Sequence, residues 1–180
     1  PILYQNCVPI FADINSKTYG LDPKDVERKI TDKTRAVIAI HLFGQCCDMD
    51  PLMKICKDNG LYLIEDASQA HLAEYKGRLA GTMGKMGCFS LQQSKQMTCG
   101  DGGVTIMDDD ELAERARLFA DKAWPRDQTS YRGYLFLAMN YRMTELQGAV
   151  ALAQIRKVRD IVARRRRSGE LLTKLLSEIE

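Results

Sequence analysis

The chain has 180 residues, of which 45% are hydrophobic and 28% are charged, and its net charge at pH 7 is +2. This length and composition predict a globular domain with a core of its own. The near-neutral charge gives no sign of a nucleic-acid partner, and no apolar run is long enough to suggest a membrane span. The sequence begins at Pro1 without a methionine, so we expect it to be part of a longer chain.

The six cysteines are spread along the chain, and no C-x-x-C pair occurs. The two histidines, His41 and His71, have no metal-ligand spacing around them. We therefore expect reduced thiols in a cytoplasmic protein rather than a disulfide framework, and no metal site.

Short strands and helices alternate in the first 66 residues. Strands are predicted at 8–14, 36–42 and 61–66, and helices at 21–30 and from Asp48 or Asp50 to Asn59–Gly60. Asp22 and Pro23 are typical of an N-cap and a first helical position. The continuous apolar runs of the second and third strands are typical of strands buried on both faces. The pattern predicts βαβ units, and therefore an α/β fold with a mostly parallel sheet.

The second half begins with three glycines and ends in a long helical pattern. Strands are predicted at 86–91 and 103–107, a helix at 111–122, a long irregular segment at 124–140 and a long helix at 143–180. Gly81, Gly84 and Gly87 form G-x-x-G-x-x-G, which differs from the dinucleotide fingerprint G-x-G-x-x-G. A nicotinamide-binding domain is therefore disfavoured.

Four consecutive arginines, 164–167, lie in the helical pattern near the end of the sequence. Such a run can form a nucleic-acid patch or a solvated helix face. The near-neutral total charge favours the solvated face.

Two charged residues lie at predicted strand ends, where α/β sheets usually bind their ligands. Asp66 ends a buried strand, and ligands bind at the carboxyl ends of such strands. It could hold a positively charged ring nitrogen, or it could be a helix N-cap or a solvated loop acid. Lys95 lies between two strands, where it could be a surface lysine or a partly desolvated nucleophile. A sheet-end acid and a sheet-end lysine on different strands are what a pyridoxal phosphate site needs.

Several motifs occur together in one order. They are the residues at 41–50 (HLFGQCCDMD), 65–71 (EDASQAH), 75–77 (YKG), 87–91 (GCFSL) followed by Lys95, 100–103 (GDGG) and 140–147 (NYRMTELQ). Through them the sequence resembles the DegT/DnrJ/EryC1/StrS family of pyridoxal-phosphate-dependent sugar aminotransferases. The resemblance implies the three-layer αβα large domain of fold type I, truncated at both ends. Residues 1–180 would be part of that domain, and 143–180 would lead towards an absent small C-terminal domain.

The resemblance also implies a role for individual residues. Lys95 would bind the cofactor as a Schiff base and move protons, and Asp66 would hold the pyridine nitrogen. Gln69 would contact the phenolic oxygen, and Ser90 would bind the phosphate. Asn140 would reach the phosphate in the neighbouring subunit of a homodimer. His71 and Arg142 are candidate substrate contacts, although a buried structural imidazole is an equal possibility for His71.

The implied reaction transfers an amino group from glutamate or glutamine to a keto sugar nucleotide or a keto cyclitol. Two departures stand out: the family's N-terminal phosphate-binding turn and ring-stacking residues would precede Pro1, and Leu72 replaces a usual glycine. We therefore expect the 180 residues alone to be inactive. The alternatives are the sugar dehydratase branch, in which histidine replaces the lysine, and a non-catalytic regulatory relative. Lys95 argues against the first, and the retained Asp66, Gln69 and Ser90 against the second.

Overall fold

The computed structural model describes residues 1–126 and 133–179. The chain forms two compact units, Pro1–Gly87 and Cys88–Glu180. The elements follow the order α1 (Pro23–Lys29), β1 (Ala36–Ile40), α2 (Met49–Asp58), β2 (Tyr62–Asp66), β3 (Glu74–Tyr75), β4 (Arg78–Leu79), β5 (Met86–Ser90), β6 (Gly103–Ile106), α3 (Asp110–Ala120), α4 (Glu145–Ile155) and α5 (Val158–Leu176). The larger sheet has the strand order β1-β2-β5-β6, and β3 pairs with β4.

The first unit is built around the parallel pair β1 and β2. Their register runs from Ala36 opposite Tyr62 to Ile40 opposite Asp66. Because parallel strands need a crossover connection, α2 lies between them in sequence. The strand that carries Asp66 therefore ends beside the last residue of β1, which confirms the predicted parallel arrangement.

The helices of this unit lie where the sequence indicates, although α1 at Pro23–Lys29 is shorter than the predicted 21–30. The Asp22 side chain accepts a hydrogen bond from the backbone N–H of Lys24, with Pro23 at the first helical position. Such a cap stabilises a helix by about 1 kcal/mol. Helix α2 begins after Asp48 and ends at Asp58, with Asn59 at the C-cap position. Its buried residues recur on one face and pack into the core of the unit. That core consists of Val26, Val37, Ala39, Cys47, Met49, Leu52, Ile55, Cys56, Leu63 and Met83.

Among the described residues that follow β4, the strands are β5 and β6 and the α-helices are α3, α4 and α5. Asp109 caps α3 by accepting a hydrogen bond from the N–H of Leu112. Thr144 and Gln147 form a reciprocal capping box at the start of α4. Such a box satisfies two backbone N–H groups that would otherwise lack partners, and it fixes where the helix begins.

Two sequence-based predictions about the elements are wrong. Residues 8–14 form no strand in the described structure; within this segment only Ile14 takes part in a β-bridge, an isolated one to Leu21. Val8, Ile10 and Phe11 are 67–84% exposed, so this apolar run neither joins a ladder nor enters the core. The long helix predicted for 143–180 is two helices, α4 and α5, separated at residues 156–157.

Among the residues described, no helix is long and apolar enough to cross a membrane. The same part of the chain contains no group of three or more histidine, cysteine, aspartate or glutamate side chains that could hold a metal ion. The cysteines of the described residues are free thiols, and most of them are buried.

Candidate functional site

The first group of predicted site residues lies at the end of β2. Asp66 is half-buried, and its Oδ1 accepts a hydrogen bond from the backbone N–H of Ser68 at 3.0 Å. Its carbonyl oxygen accepts from the N–H of His41, also at 3.0 Å. Gln69 lies one turn further on, and its Oε1 accepts from the N–H of Phe43 at 2.7 Å. Both predicted cofactor contacts are therefore held by the short segment that follows β1.

That segment, the 41–44 turn, has an uncommon backbone. Phe43 has a φ of 56° and Gly44 a φ of 84°. A bulky residue in the left-handed region is unusual and is maintained only by its surroundings. A Cβ on Gly44 would come within 3.2 Å of the carbonyl oxygen of Gln69, tighter than most real Cβ contacts. The turn thus contacts Gln69 twice: the Phe43 N–H bonds to its side chain, and the Gly44 backbone lies close to its carbonyl oxygen.

The residue before Asp66 is a buried carboxylate that the sequence analysis did not assign to the site. Glu65 and His41 are both 0% exposed, and His41 Nε2 lies 2.9 Å from Glu65 Oε2. His41 Nδ1 accepts the backbone N–H of Cys47 at 3.2 Å. This leaves the Nε2 hydrogen to be donated to Glu65.

The loop that follows β4 supplies the other partners of Glu65. The N–H of Gly81 donates to Oε2 at 2.7 Å, and those of Met83 and Gly84 donate to Oε1. Burial works to raise the pKa of Glu65, but the hydrogen bonds from His41 and the three backbone N–H groups outweigh burial and lower the pKa. Glu65 is therefore an ionised carboxylate at neutral pH with donors on both oxygens.

The G-x-x-G-x-x-G pattern has a structural explanation in this loop. A Cβ on Gly84 would lie 2.5 Å from the carbonyl oxygen of Leu63 in β2. A Cβ on Gly87 would lie 2.1 Å from the carbonyl oxygen of Gly81. Real Cβ atoms do not approach backbone so closely, so Gly84 lets the loop lie directly against β2 and Gly87 lets the start of β5 lie against Gly81. The pattern thus serves the contact with Glu65 rather than a dinucleotide.

The second group of predicted residues lies after β5. Ser90 is the last residue of β5, and its Oγ accepts the N–H of Gln92 at 3.3 Å. The backbone N–H of Lys95 donates to the carbonyl oxygen of Gln92 at 3.0 Å. Ser90 and Lys95 are therefore both hydrogen-bonded to the backbone of Gln92.

The loop that carries Lys95 is compact. Leu91 is fully buried, its N–H donates to the carbonyl oxygen of Gly102, and its own carbonyl oxygen accepts from Cys99. These two bonds close the loop at its base and leave Lys95 half-buried within it. A lysine on a closed loop loses less conformational freedom on binding a ligand than one on an open loop.

Asn140 and Arg142 form a third local group, around Asp121. The backbone N–H of Lys122 donates to Met139, and that of Tyr141 donates to Ala120, on either side of Asn140. The Asp121 carboxylate, 13% exposed, pairs with the guanidinium groups of Arg126 and Arg142. The hydrogen bond from Arg126, together with the charges of both arginines, holds the pKa of Asp121 below its usual range. Asn140 is exposed, while its backbone is fixed.

His71 is buried, with 8% of its surface exposed, in the turn that follows β2. It lies in the first unit with Asp66 and Gln69, whereas Ser90, Lys95, Asn140 and Arg142 lie in the second.

The functional groups fit a phosphorylated pyridine aldehyde. Lys95 has the primary amine that an aldehyde would require, and Ser90 a hydroxyl group of the kind that would bind a phosphate. Asp66 has the carboxylate that a protonated ring nitrogen would require. Because Gln69 accepts the Phe43 N–H through its oxygen, the donor end of this side chain is its N–H2 group, which suits an acceptor such as a phenolic oxygen.

The fold is that of a known class of enzyme. A sugar aminotransferase from Micromonospora echinospora aligns with a TM-score of 0.92 and 26% identity, over 99% of this chain and 51% of that one. The predicted class, an α/β fold of the fold-type-I aminotransferases, is thus confirmed. Residues 1–180 match the model of the DegT/DnrJ/EryC1/StrS aminotransferase family. The chain belongs to that family, as its motifs indicated.

Two curated relatives show the range of activities in the family. A putative L-glutamine:3-amino-2,3-dideoxy-scyllo-inosose aminotransferase from Micromonospora echinospora is 41% identical over 99% of this chain and 43% of its own length. A GDP-perosamine synthase from Escherichia coli O157:H7 is 32% identical over 99% of this chain and 48% of its own length. The chain thus spans about half the length of these relatives.

Proposed function

We propose that the whole protein is a pyridoxal-phosphate-dependent aminotransferase, and that residues 1–180 form part of its cofactor-binding large domain. It would transfer an amino group from glutamine or glutamate to a keto cyclitol or a keto sugar nucleotide, in the cytoplasm. The observation that carries this proposal is Lys95, a half-buried primary amine on a closed loop within a chain of this family.

The roles of the residues follow from their chemistry. Lys95 would hold the cofactor covalently through its primary amine, and the same amine, when free, would serve as the base and acid that moves the proton of the amino donor. Asp66 keeps the ring nitrogen protonated, Gln69 donates to the phenolic oxygen and Ser90 donates to the phosphate. Bound pyridoxal phosphate supplies the electron sink for this chemistry. His71 and Arg142 are proposed as substrate contacts, Arg142 while paired with Asp121.

The sugar dehydratase branch is the second candidate within the family. In that branch the lysine is replaced by histidine, which accepts protons but does not form the covalent bond to the cofactor. Lys95 favours amine transfer. The sequence identity is 41% to the putative L-glutamine-dependent cyclitol aminotransferase and 32% to the GDP-perosamine synthase. The higher identity favours a keto cyclitol over a sugar nucleotide as the amino acceptor.

An assay of the full-length protein tests this function. We expect L-glutamine and a keto cyclitol such as 2-deoxy-scyllo-inosose to give the aminated cyclitol, detected by mass spectrometry with 15N-labelled glutamine. A GDP-linked keto sugar serves as the alternative acceptor. A product that has lost its hydroxyl group without gaining nitrogen would identify a dehydratase. A protein that retains no pyridoxal phosphate would identify a non-catalytic relative.

We further propose a homodimer in which Asn140 of each chain contacts the phosphate in the partner's site. Its support is the exposed position of Asn140, whose backbone is fixed on both sides by hydrogen bonds to the end of α3. An exposed side chain on a fixed backbone is suited to reach across an interface. Because a two-fold interface is isologous, both sites would use the same residue from the opposite chain.

Complementation between two variants tests the shared site: we expect the Lys95→Ala homodimer to be inactive and the Asn140→Ala homodimer to be weakened by poorer phosphate anchoring. In a mixed dimer of Lys95→Ala and Asn140→Ala full-length chains, one site would carry both substitutions and the other neither. Refolding the variants together in equal amounts should give about half mixed dimers, and hence roughly a quarter wild-type sites. We expect activity at saturating cofactor to exceed the average of the two separately refolded variants. Activity equal to that average, with chain exchange confirmed by mass spectrometry, would show that Asn140 does not act across the interface.

A further inference from the structure

The buried Glu65–His41 pair is too costly to be explained by packing alone. Both side chains are fully removed from solvent, and a buried carboxylate is tolerated only when donors surround it. Glu65 has four: Nε2 of His41 and the backbone N–H groups of Gly81, Met83 and Gly84. Isosteric apolar side chains would fill the same space without this cost. The pair therefore serves the geometry of its neighbours.

Those neighbours include the end of β2. Successive side chains of a strand point to opposite faces, so Glu65 and Asp66 project in opposite directions from adjacent positions. The loop from Gly81 to Gly84 holds the Glu65 carboxylate, and the Gly84 backbone lies against that of Leu63. Four hydrogen bonds to the penultimate side chain oppose rotation of the strand end about its axis. Such a constraint on Glu65 would also restrict the direction of Asp66.

His41 extends the same constraint to Gln69. The imidazole ring of His41 forms hydrogen bonds with the Glu65 carboxylate and the backbone N–H of Cys47. The backbone N–H of His41 donates to the carbonyl oxygen of Asp66. Two residues later, Phe43 donates its N–H to Gln69 Oε1. The ring thus anchors the first residue of the 41–44 turn, whose uncommon φ angles need such an anchor.

We propose that Glu65, held by His41, is a positioning residue that fixes the orientation of Asp66 and Gln69 in the candidate cofactor site. This role rests on the proposed function, because it concerns how two proposed cofactor contacts are held. Glu65 touches neither cofactor nor substrate and acts only through the backbone of β2 and the 41–44 turn.

The test compares Glu65→Gln with Leu52→Ala in the full-length protein. Glutamine keeps the size of the side chain, but its N–H2 group faces a donor and breaks at least one of the hydrogen bonds. Leu52 is equally buried in the first unit, and its truncation leaves a cavity without removing any of these hydrogen bonds. It is therefore a control for loss of stability alone. Both variants are measured at a temperature at which circular dichroism shows them fully folded.

The first measurement needs no cofactor. In native-state hydrogen exchange of the apo-protein, we expect the amides of His41 and Phe43 to exchange at least tenfold faster in Glu65→Gln, beyond the change that its global stability explains. In Leu52→Ala they should change only with global stability. Unchanged exchange of both amides in Glu65→Gln would overturn the proposal, because the turn would then be held without Glu65.

The second measurement follows the half-reaction with the amino donor in stopped flow. We expect Glu65→Gln to lower the maximal rate at least tenfold with little change in the donor concentration for half-saturation, and Leu52→Ala to match the wild type. Faster exchange together with a rate equal to that of Leu52→Ala would overturn the positioning role. A wild-type protein that takes up no pyridoxal phosphate would overturn the proposed function, and the positioning role with it. The exchange result would then still show whether Glu65 holds the turn.

Discussion

Replacing Lys95 with arginine is expected to abolish amine transfer by the full-length protein. Arginine keeps the positive charge and a similar length, but its guanidinium group stays protonated and is not available as a nucleophile. The variant should therefore lose the covalent bond to the cofactor. It should also lose the group that moves the proton, so that activity falls to the background of the assay. The loop itself should survive, because the bonds that close it involve Leu91, Cys99 and Gly102.

Chemical trapping identifies the lysine directly. Wild-type protein incubated with pyridoxal phosphate and reduced with borohydride should carry the cofactor on the peptide that contains Lys95. Lys76→Ala is the control. Lys76 lies in the β3–β4 hairpin, pairs with Asp50 of α2 and should be dispensable for cofactor binding. A reduced cofactor found on Lys76 or Lys85 in the wild type would refute the assignment of Lys95. So would full trapping in Lys95→Arg.

The parallel strands and their connecting helix could be read from the sequence because their signals are local. The apolar runs of β1 and β2 are continuous, and Asp48 and Asn59 occupy the N-cap and C-cap positions of α2.

The two wrong elements depend on contacts that a local pattern does not contain. Residues 8–14 have the apolar composition of a strand, but a strand exists only where a partner accepts its hydrogen bonds. The break between α4 and α5 falls at Arg156 and Lys157, both good helix formers, so propensity gives no indication of it.

The position of Asp66 at a strand end was predictable, but the way in which it is held was not. Glu65 looked like one of two acids that end a strand. Its partners lie 16 to 24 residues away in sequence, in the glycine loop and at His41. The glycine pattern was visible, yet only the close approach of Gly84 and Gly87 to other backbone explains it. Long-range hydrogen bonds to backbone N–H groups leave no signature in residue types, and this is why the role of Glu65 emerged only from the structure.

The Asp66→Asn variant of the full-length protein should keep its fold and its covalently bound cofactor but slow the half-reaction with the amino donor by about a thousandfold. Asparagine has the same shape, and its oxygen can still accept the N–H of Ser68 that Asp66 Oδ1 accepts. It cannot hold a proton on the ring nitrogen by charge, so the negative charge that forms when the donor loses its proton is less well delocalised. A loss of ~4 kcal/mol of such stabilisation corresponds to this change in rate.

Single-turnover stopped flow with saturating amino donor measures the effect without interference from product release. Asp58→Asn is the matched control: Asp58 ends α2, pairs with Lys54 on the surface and lies outside the candidate site. The control should react at the wild-type rate, and both variants should unfold at similar temperatures. A wild-type rate in Asp66→Asn would assign this carboxylate a structural role only, as a partner of Ser68. If Asp66→Asn slowed the reaction only as much as Asp58→Asn did, the effect would come from the lost surface charge and not from the ring nitrogen.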